Sequence, residues 1–217
     1  MGRPPPSRSP WLETLNLDVI RGGRTLISQL NIRLEAGQVT HLAGVNGCGK
    51  TSLLRVLCGL SPYGYTGKLN YLGEDIESQR SEFNRELLYI GHGAGIKGSL
   101  TPVENLEWQK HLSGRELPVP IEQALTKIGL QAHFNTPCRN LSAGQQRRVA
   151  LSRIFLSTAG IWILDEPFTA LDTEGVELLT QQLIAHVKDG GTVILTSHQD
   201  LTMDYPVRRW DLNSGSA

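Results

Sequence analysis

The 217 residues are enough for one large domain with a full hydrophobic core and a small lobe set into it. Lys and Arg number 21 together, as do Asp and Glu, so no basic field argues for nucleic acid and no acidic tail for disorder. Cys48, Cys58 and Cys138 follow neither a C-x-x-C nor a metal-type spacing and read as reduced thiols, and no stretch approaches the ~18 apolar residues of a membrane span.

Residues 1–10 carry Pro4, Pro5, Pro6 and Pro10 and read as a mobile tail without an apolar signal segment, ahead of a single domain over 11–217. Leu15, Leu17 and Val19 then alternate with Asn16 and Asp18, and Leu30, Ile32 and Leu34 with Gln29, Asn31 and Arg33. These are two half-exposed strands joined at Gly22-Gly23, an antiparallel flank. After the turn at Glu35-Ala36-Gly37, Val39 and His41-Leu42-Ala43 read as a buried strand, and Leu53, Leu54 and Leu57 recur at helical spacing until Ser61-Pro62 stops the helix. Residues 68–72 and Leu87–Ile90 read as further strands, and His92 follows in a Gly-rich loop.

From Thr101 the pattern turns helical, with Thr101 as N-cap, Pro102 at the first helical position and Glu104 closing a capping box. A second helix over 121–128 ends at Gly129. Ser142 and Gln145 repeat the capping-box spacing before a helix over 146–156 that is basic on one side at Arg147 and Arg148. The region of roughly 95–158 is thus a small helical subdomain inserted in the domain. Ile161–Leu164 is a continuous apolar run, suited to a central parallel strand covered on both faces. Val176, Leu178, Leu179 and Leu183 make a helix closed by Gly190-Gly191, Thr192–Thr196 is another buried strand, and 207–212 is an edge strand. Strand and helix alternate here, which predicts an α/β fold with a mostly parallel sheet and right-handed crossovers.

Between the buried strand and its helix lie Gly44, Val45, Asn46, Gly47, Cys48, Gly49, Lys50, Thr51 and Ser52, which fit the G-x-x-x-x-G-K-[ST] phosphate-binding pattern. Glycines let successive backbone N–H groups point at an anion, Lys50 reaches the terminal phosphates, and the Thr51 hydroxyl is placed to ligate Mg²⁺. Ser52 donates one more hydrogen bond. A Gly-rich turn before a helix is the alternative account, and the strand-loop-helix context argues against it. Asp165 and Glu166 follow the Ile161–Leu164 strand, at the end where open α/β sheets bind ligands. Strand alternation would aim them apart, Asp165 toward Mg²⁺ and Glu166 toward the γ-phosphate and the attacking water. His198, just past the next strand end, is placed to contact the γ-phosphate as well. Lys50, Glu166 and His198 are therefore the expected catalytic groups.

Leu141-Ser142-Ala143-Gly144-Gln145 adds a further expectation, because a capping box explains Ser142 and Gln145 but not Gly144, which costs ~1 kcal/mol inside a helix. Here the chain resembles the ATP-binding-cassette (ABC) ATPases, whose signature is Leu-Ser-Gly-Gly-Gln. The other motifs fall in the family order: residues 44–51 as Walker A, 161–166 as Walker B, Ala170-Leu171-Asp172 as the D-loop and His198 as the switch histidine. The resemblance implies a P-loop NTPase fold of the ABC ATPase type, with ATP and Mg²⁺ as nucleotide and metal. It also implies that Ser142, Ala143, Gly144 and Gln145 meet the γ-phosphate of ATP held by a second, facing copy.

Two departures stand out. Ala143 replaces the first signature Gly, and His92 stands where the loop usually carries a Gln that contacts metal or water. Family members stack adenine on an aromatic near the first strands. Arg21 occupies that place, and its guanidinium would stack instead. Residues 90–92, 95–97, 141–151 and 162–169 look like the haem-exporter type of ATP-binding subunit of bacterial cytochrome c biogenesis. What that implies is a homodimer in the ATP-bound state, beneath integral-membrane subunits on the cytoplasmic face of the inner membrane, powering haem export or haem-chaperone release. Two alternatives remain: an importer or exporter subunit for another substrate, and a cassette ATPase acting on nucleic acid or ribosomes. The latter relatives carry long coiled coils or paired cassettes, and neither is visible in this sequence.

Overall fold

The computed structural model describes residues 10–60, 64–113, 116–169, 171–197 and 201–212. The expectations at residues 1–9, Ser61-Pro62, Ala170 and His198 lie outside them. The first elements in chain order are β1 Leu12–Arg21, β2 Arg24–Leu30, β3 Arg33–Leu34, β4 Gln38–Ala43, α1 Lys50–Leu57, β5 Tyr65–Tyr71 and β6 Glu74–Asp75. Next come α2 Arg80–Glu86, β7 Leu87–Ile90, α3 Pro102–Ser113, α4 Ile121–Lys127, α5 Ala143–Leu151 and α6 Arg153–Leu156. The last are β8 Ile161–Leu164, α7 Thr173–Lys188, β9 Thr192–Thr196 and β10 Val207–Asp211.

Two sheets form. The one that carries the site has the order β10-β4-β9-β8-β7, and its β10/β4, β4/β9 and β8/β9 pairs are parallel. Every residue of β8 and β9 is buried, as expected of parallel strands covered on both faces. Register then sets the geometry: Leu42 lies beside Thr196 and Leu164 beside Leu195, so the C-terminal ends of β4, β8 and β9 open at one level.

The other sheet is antiparallel, ordered β2-β1-β5-β6 with β3 paired to β1. The strand expected over 29–34 is broken in two. Gln29 and Asn16 take left-handed backbone angles (φ 50° and 48°), and the β1/β2 register slips beside them. The Asp18 carboxylate accepts from the Gln29 N–H at 2.8 Å, and the Asn31 side chain accepts from the Asn16 N–H at 2.9 Å, so side chains take over part of the ladder.

The chain divides into two compact units, one of Met1–Tyr89, Ala159–Glu166 and Leu183–Ala217, the other of Ile90–Thr158 and Pro167–Gln182. In the first, one apolar cluster joins Leu17 and Val19 of β1, Leu53, Leu54 and Leu57 of α1, and Ile161, Ile163 and Ile194 of the parallel sheet. Each such side chain contributes about 1.5–3 kcal/mol when buried, so α1 is held between the two sheets by its apolar face. At the far end of β8 the His186 ring stacks on Trp162 at 3.7 Å between centroids, and its Nε2 donates to the Gly160 carbonyl at 3.2 Å.

The second unit is helical around buried Leu106, Leu125, Val149, Leu151, Ile154 and Phe155. Asn105, also buried, bonds both the N–H and the carbonyl of Lys97 and fixes the approach to α3. The helix expected over 146–156 starts earlier, at Ala143, and breaks at Ser152, whose hydroxyl donates to the Val149 carbonyl at 2.7 Å. Helix α2 has no counterpart among the sequence expectations. It buries Phe83 alone, and one apolar contact in seven residues leaves no periodic signal.

Candidate active site

Strand β4 delivers the backbone to the glycine loop. Gly44, Gly47 and Gly49 take φ of 148°, 83° and 106°, a region L side chains rarely enter. Gly49 is the N-cap of α1, and a Cβ there would sit 3.3 Å from Leu26 Cβ. With no side-chain cap and no acidic residue in the first turn of α1, none of the helix's own side chains offsets its positive end, which faces whatever lies over the loop. Lys50 is 8% exposed, and its ammonium donates to the carbonyls of Gly44 at 2.5 Å and Val45 at 3.1 Å, curling over the loop it belongs to. Val45, Asn46 and Gly47 are exposed, Cys48 and Thr51 half-buried and Ser52 buried.

Asp165, 2% exposed, is gripped from both sides. Thr51 Oγ1 donates to its Oδ2 and Thr196 Oγ1 to its Oδ1, each at 2.8 Å. Glu166 follows in a left-handed conformation (φ 53°), and its N–H donates to Thr196 Oγ1 at 2.9 Å. A non-glycine residue there costs about 1–2 kcal/mol, a strain that collects at working sites. β8 ends at Leu164, so the two carboxylates lie beyond the strand and Glu166 leaves strand geometry. Beneath them the Cys58 thiol is pushed well up by burial and secondarily by the Asp165 charge, so it stays a protonated, inert filler.

One hydroxyl and one carboxylate side by side are hard oxygen donors of the kind Mg²⁺ takes, with remaining positions for water and substrate oxygens. Among the described residues no three His, Cys, Asp or Glu side chains gather as a chelate. Arg21 sits exposed at the end of β1, opposite Arg24 across the hairpin.

The second unit holds the other expected residues. Ser142 Oγ accepts from the Gln145 N–H at 3.2 Å while Gln145 Oε1 accepts from the Ser142 N–H at 2.9 Å, the expected capping box in full. With its oxygen so engaged, the Gln145 amide turns its NH₂ to His133 Nε2 at 2.9 Å. Ser142 and Ala143 are exposed and Gly144 is half-buried in the first turn of α5. The basic pair splits. Arg147 is buried, its guanidinium donating to the carbonyls of Gly91 and His92, whereas Arg148 reaches Asp172 at 2.7 Å. That bond, followed by one from the Gly175 N–H at 2.9 Å, holds the Asp172 carboxyl below its usual range. The His92 side chain is exposed.

The model of the ABC transporter family matches residues 27–169. The cytochrome c biogenesis ATP-binding export protein CcmA of Idiomarina loihiensis is 45% identical over 91% of this chain and 89% of its own. That of Pseudomonas fluorescens is 48% identical over 89% and 92%. The chain belongs to the ABC transporter family, among its cytochrome c biogenesis ATP-binding export proteins. The same fold recurs in a dimeric ATP-binding cassette in a post-hydrolysis state bound to ADP and phosphate. It has a TM-score of 0.73 and 21% identity, covering 87% of this chain and 88% of that one.

Within this ABC ATPase the expected site residues fall into two groups. The first unit brings together Lys50, Thr51, Asp165 and Glu166 around the glycine loop, and the second carries His92 and the signature residues 142–145. Two contributors escape a motif reading. Thr196 looks like an ordinary β-strand residue, and Arg147 looks like half of a solvated basic face. The one available hint for Thr196 is a hydroxyl ending an otherwise apolar strand at a ligand-facing edge.

Proposed function

We propose that the chain is the ATP-hydrolysing subunit of a membrane transporter that powers haem export, or release of haem from its chaperone, in cytochrome c-type biogenesis. The ATPase part of this reading is carried by the 2.8 Å bond between Thr51 and Asp165, with Lys50 lying over the glycine loop and Glu166 next in the chain; the biogenesis part is supported by the 45–48% identity to the cytochrome c biogenesis export proteins. Lys50 and the N–H groups of residues 44–52 hold the ATP phosphates, and Arg21 stacks on the adenine. Thr51 and Asp165 hold Mg²⁺, which when bound neutralises charge on the phosphates. Glu166 orients the attacking water and accepts its proton, His198 steadies the transferring phosphoryl group, and His92 contacts the metal or the water.

Residues 11–217 act as one ATPase domain with the helical subdomain set into it at roughly 95–158. Ser142, Ala143, Gly144 and Gln145 close over the γ-phosphate held by a second copy, so each site is shared in an ATP-bound homodimer. The dimeric cassette of the same fold supports that arrangement. Integral-membrane subunits dock on the loop over 92–100 and on α3, where Trp108 and Leu112, one turn apart, are 40% and 67% exposed. The chain itself lies at the cytoplasmic face of the inner membrane. No helix among the described residues is long and apolar enough to cross a membrane.

Glu166→Gln is the test. It should bind ATP normally and turn it over at least ~100-fold more slowly; near-normal turnover at saturating ATP rejects the role. In a strain lacking the gene, the wild-type copy should restore haem-stained c-type cytochromes and Glu166→Gln should not. Restoration by the variant, or intact cytochromes without the gene, would reject the biogenesis role.

A further inference from the structure

We propose that Thr196 is a positioning residue for hydrolysis, one hydroxyl that fixes the Asp165 carboxylate and the Glu166 backbone at the same time. The inference rests on the roles assigned above to Asp165 and Glu166. Thr196 ends β9 and is fully buried, with no exposed surface. A hydroxyl has one proton to give and lone pairs to receive. Here the proton goes to Asp165 Oδ1 at 2.8 Å and a lone pair takes the Glu166 N–H at 2.9 Å.

Three consequences follow. Asp165 has its other oxygen on Thr51 at 2.8 Å, so its carboxylate plane is set by two threonines from different elements. Glu166 departs from strand geometry at φ 53°, and the bond to Thr196 ties that left-handed turn to the neighbouring strand. The two are also linked through one atom, since a proton aimed at Asp165 leaves a lone pair of the same oxygen for the Glu166 N–H. Because Leu164 pairs with Leu195 in parallel register, Thr196 is the β9 residue level with Asp165. Valine there would keep the shape and the strand propensity and lose both bonds, leaving a buried carboxylate oxygen and a part-buried N–H without that partner.

The experiment compares Thr196→Val, Thr196→Ser and Glu166→Gln in the full chain. The readouts are kcat and KM for ATP, binding of a fluorescent ATP analogue in EDTA, thermal unfolding, and electron paramagnetic resonance of Mn²⁺ bound with ADP. Loss of an outer-shell hydrogen bond typically costs about 10–100-fold in activity or metal affinity. Thr196→Val should lose that much in kcat and weaken Mn²⁺, with metal-free nucleotide binding unchanged within about twofold; Thr196→Ser should recover most of the loss. Wild-type kcat and Mn²⁺ binding in Thr196→Val, alongside an inactive Glu166→Gln, overturns this inference and leaves the active-site reading standing. So does a Thr196→Ser variant as impaired as Thr196→Val. Normal turnover in Glu166→Gln overturns the active-site reading and this inference with it.

Discussion

The Thr51 hydroxyl donates to Asp165 Oδ2 at 2.8 Å, joining residues 114 positions apart. Neither residue is free to seek the other: α1 is clamped by its buried leucines, and Asp165 directly follows β8, which is held in the fixed register of the parallel sheet.

Metal dependence follows from that pair. Thr51→Ala should bind ADP in EDTA as the wild type does, yet lose most of the gain in affinity that Mg²⁺ confers. Titration of a fluorescent ADP analogue with and without Mg²⁺ gives the comparison, and an undiminished Mg²⁺ effect would remove Thr51 from the metal site.

Lys50 is nearly buried, with its ammonium 2.5 Å from the Gly44 carbonyl, over the loop where phosphates would lie. Charge-assisted hydrogen bonds contribute about 1.5–3 kcal/mol. Lys50→Ala should therefore weaken ATP binding by roughly 10–100-fold at ~1.4 kcal/mol per tenfold. Equal affinity by calorimetric titration would count against the cradle.

Ser142 caps α5 through a reciprocal box. Its replacement by Ala should destabilise the protein by about 1 kcal/mol, seen as a thermal midpoint lower by about 2–4 °C. Ser142→Asn should stay near wild type, and equal losses from both would show that the cap is not the cause.

Arg147 holds two loop carbonyls, those of Gly91 and His92. Arg147→Met keeps the apolar stem and removes these charge-assisted bonds, at about 1.5–3 kcal/mol. The urea midpoint should fall while the slope stays constant. A midpoint equal to wild type would place Arg147 among solvated surface charges.

Asp172 supplies the pH dependence. Its carboxyl lies below the ordinary 3.8, held first by the Arg148 hydrogen bond and then by the Gly175 N–H. A depressed carboxylate contributes stability in full above its unfolded value and loses it as pH falls through the folded one. The stability difference between wild type and Arg148→Met should thus be flat at neutral pH and shrink below 3.8. Denaturant midpoints along that series test the sign, and the Asp172 carboxyl resonance should titrate higher in the variant.

Most of the architecture was legible from patterning. The apolar runs of β8 and β9, the helical spacing of Leu53, Leu54 and Leu57, and the box at Ser142 and Gln145 all mark elements that form. What stayed hidden had no local signal. Helix α2 buries one side chain, and β2 stops at Leu30 because Asp18 and Asn31 side chains intrude on the ladder.

The identity of the loop residues was sequence-determined, because phosphate chemistry demands glycine, lysine and a hydroxyl at one spacing along a continuous backbone. The company those residues keep was decided by the tertiary structure. Parallel pairing brings Thr196 level with Asp165, and Glu166 takes a left-handed backbone angle tied by its N–H to Thr196. Hydrogen bonds between distant segments depend on register and on single backbone angles, and neither is written in the spacing of residue types.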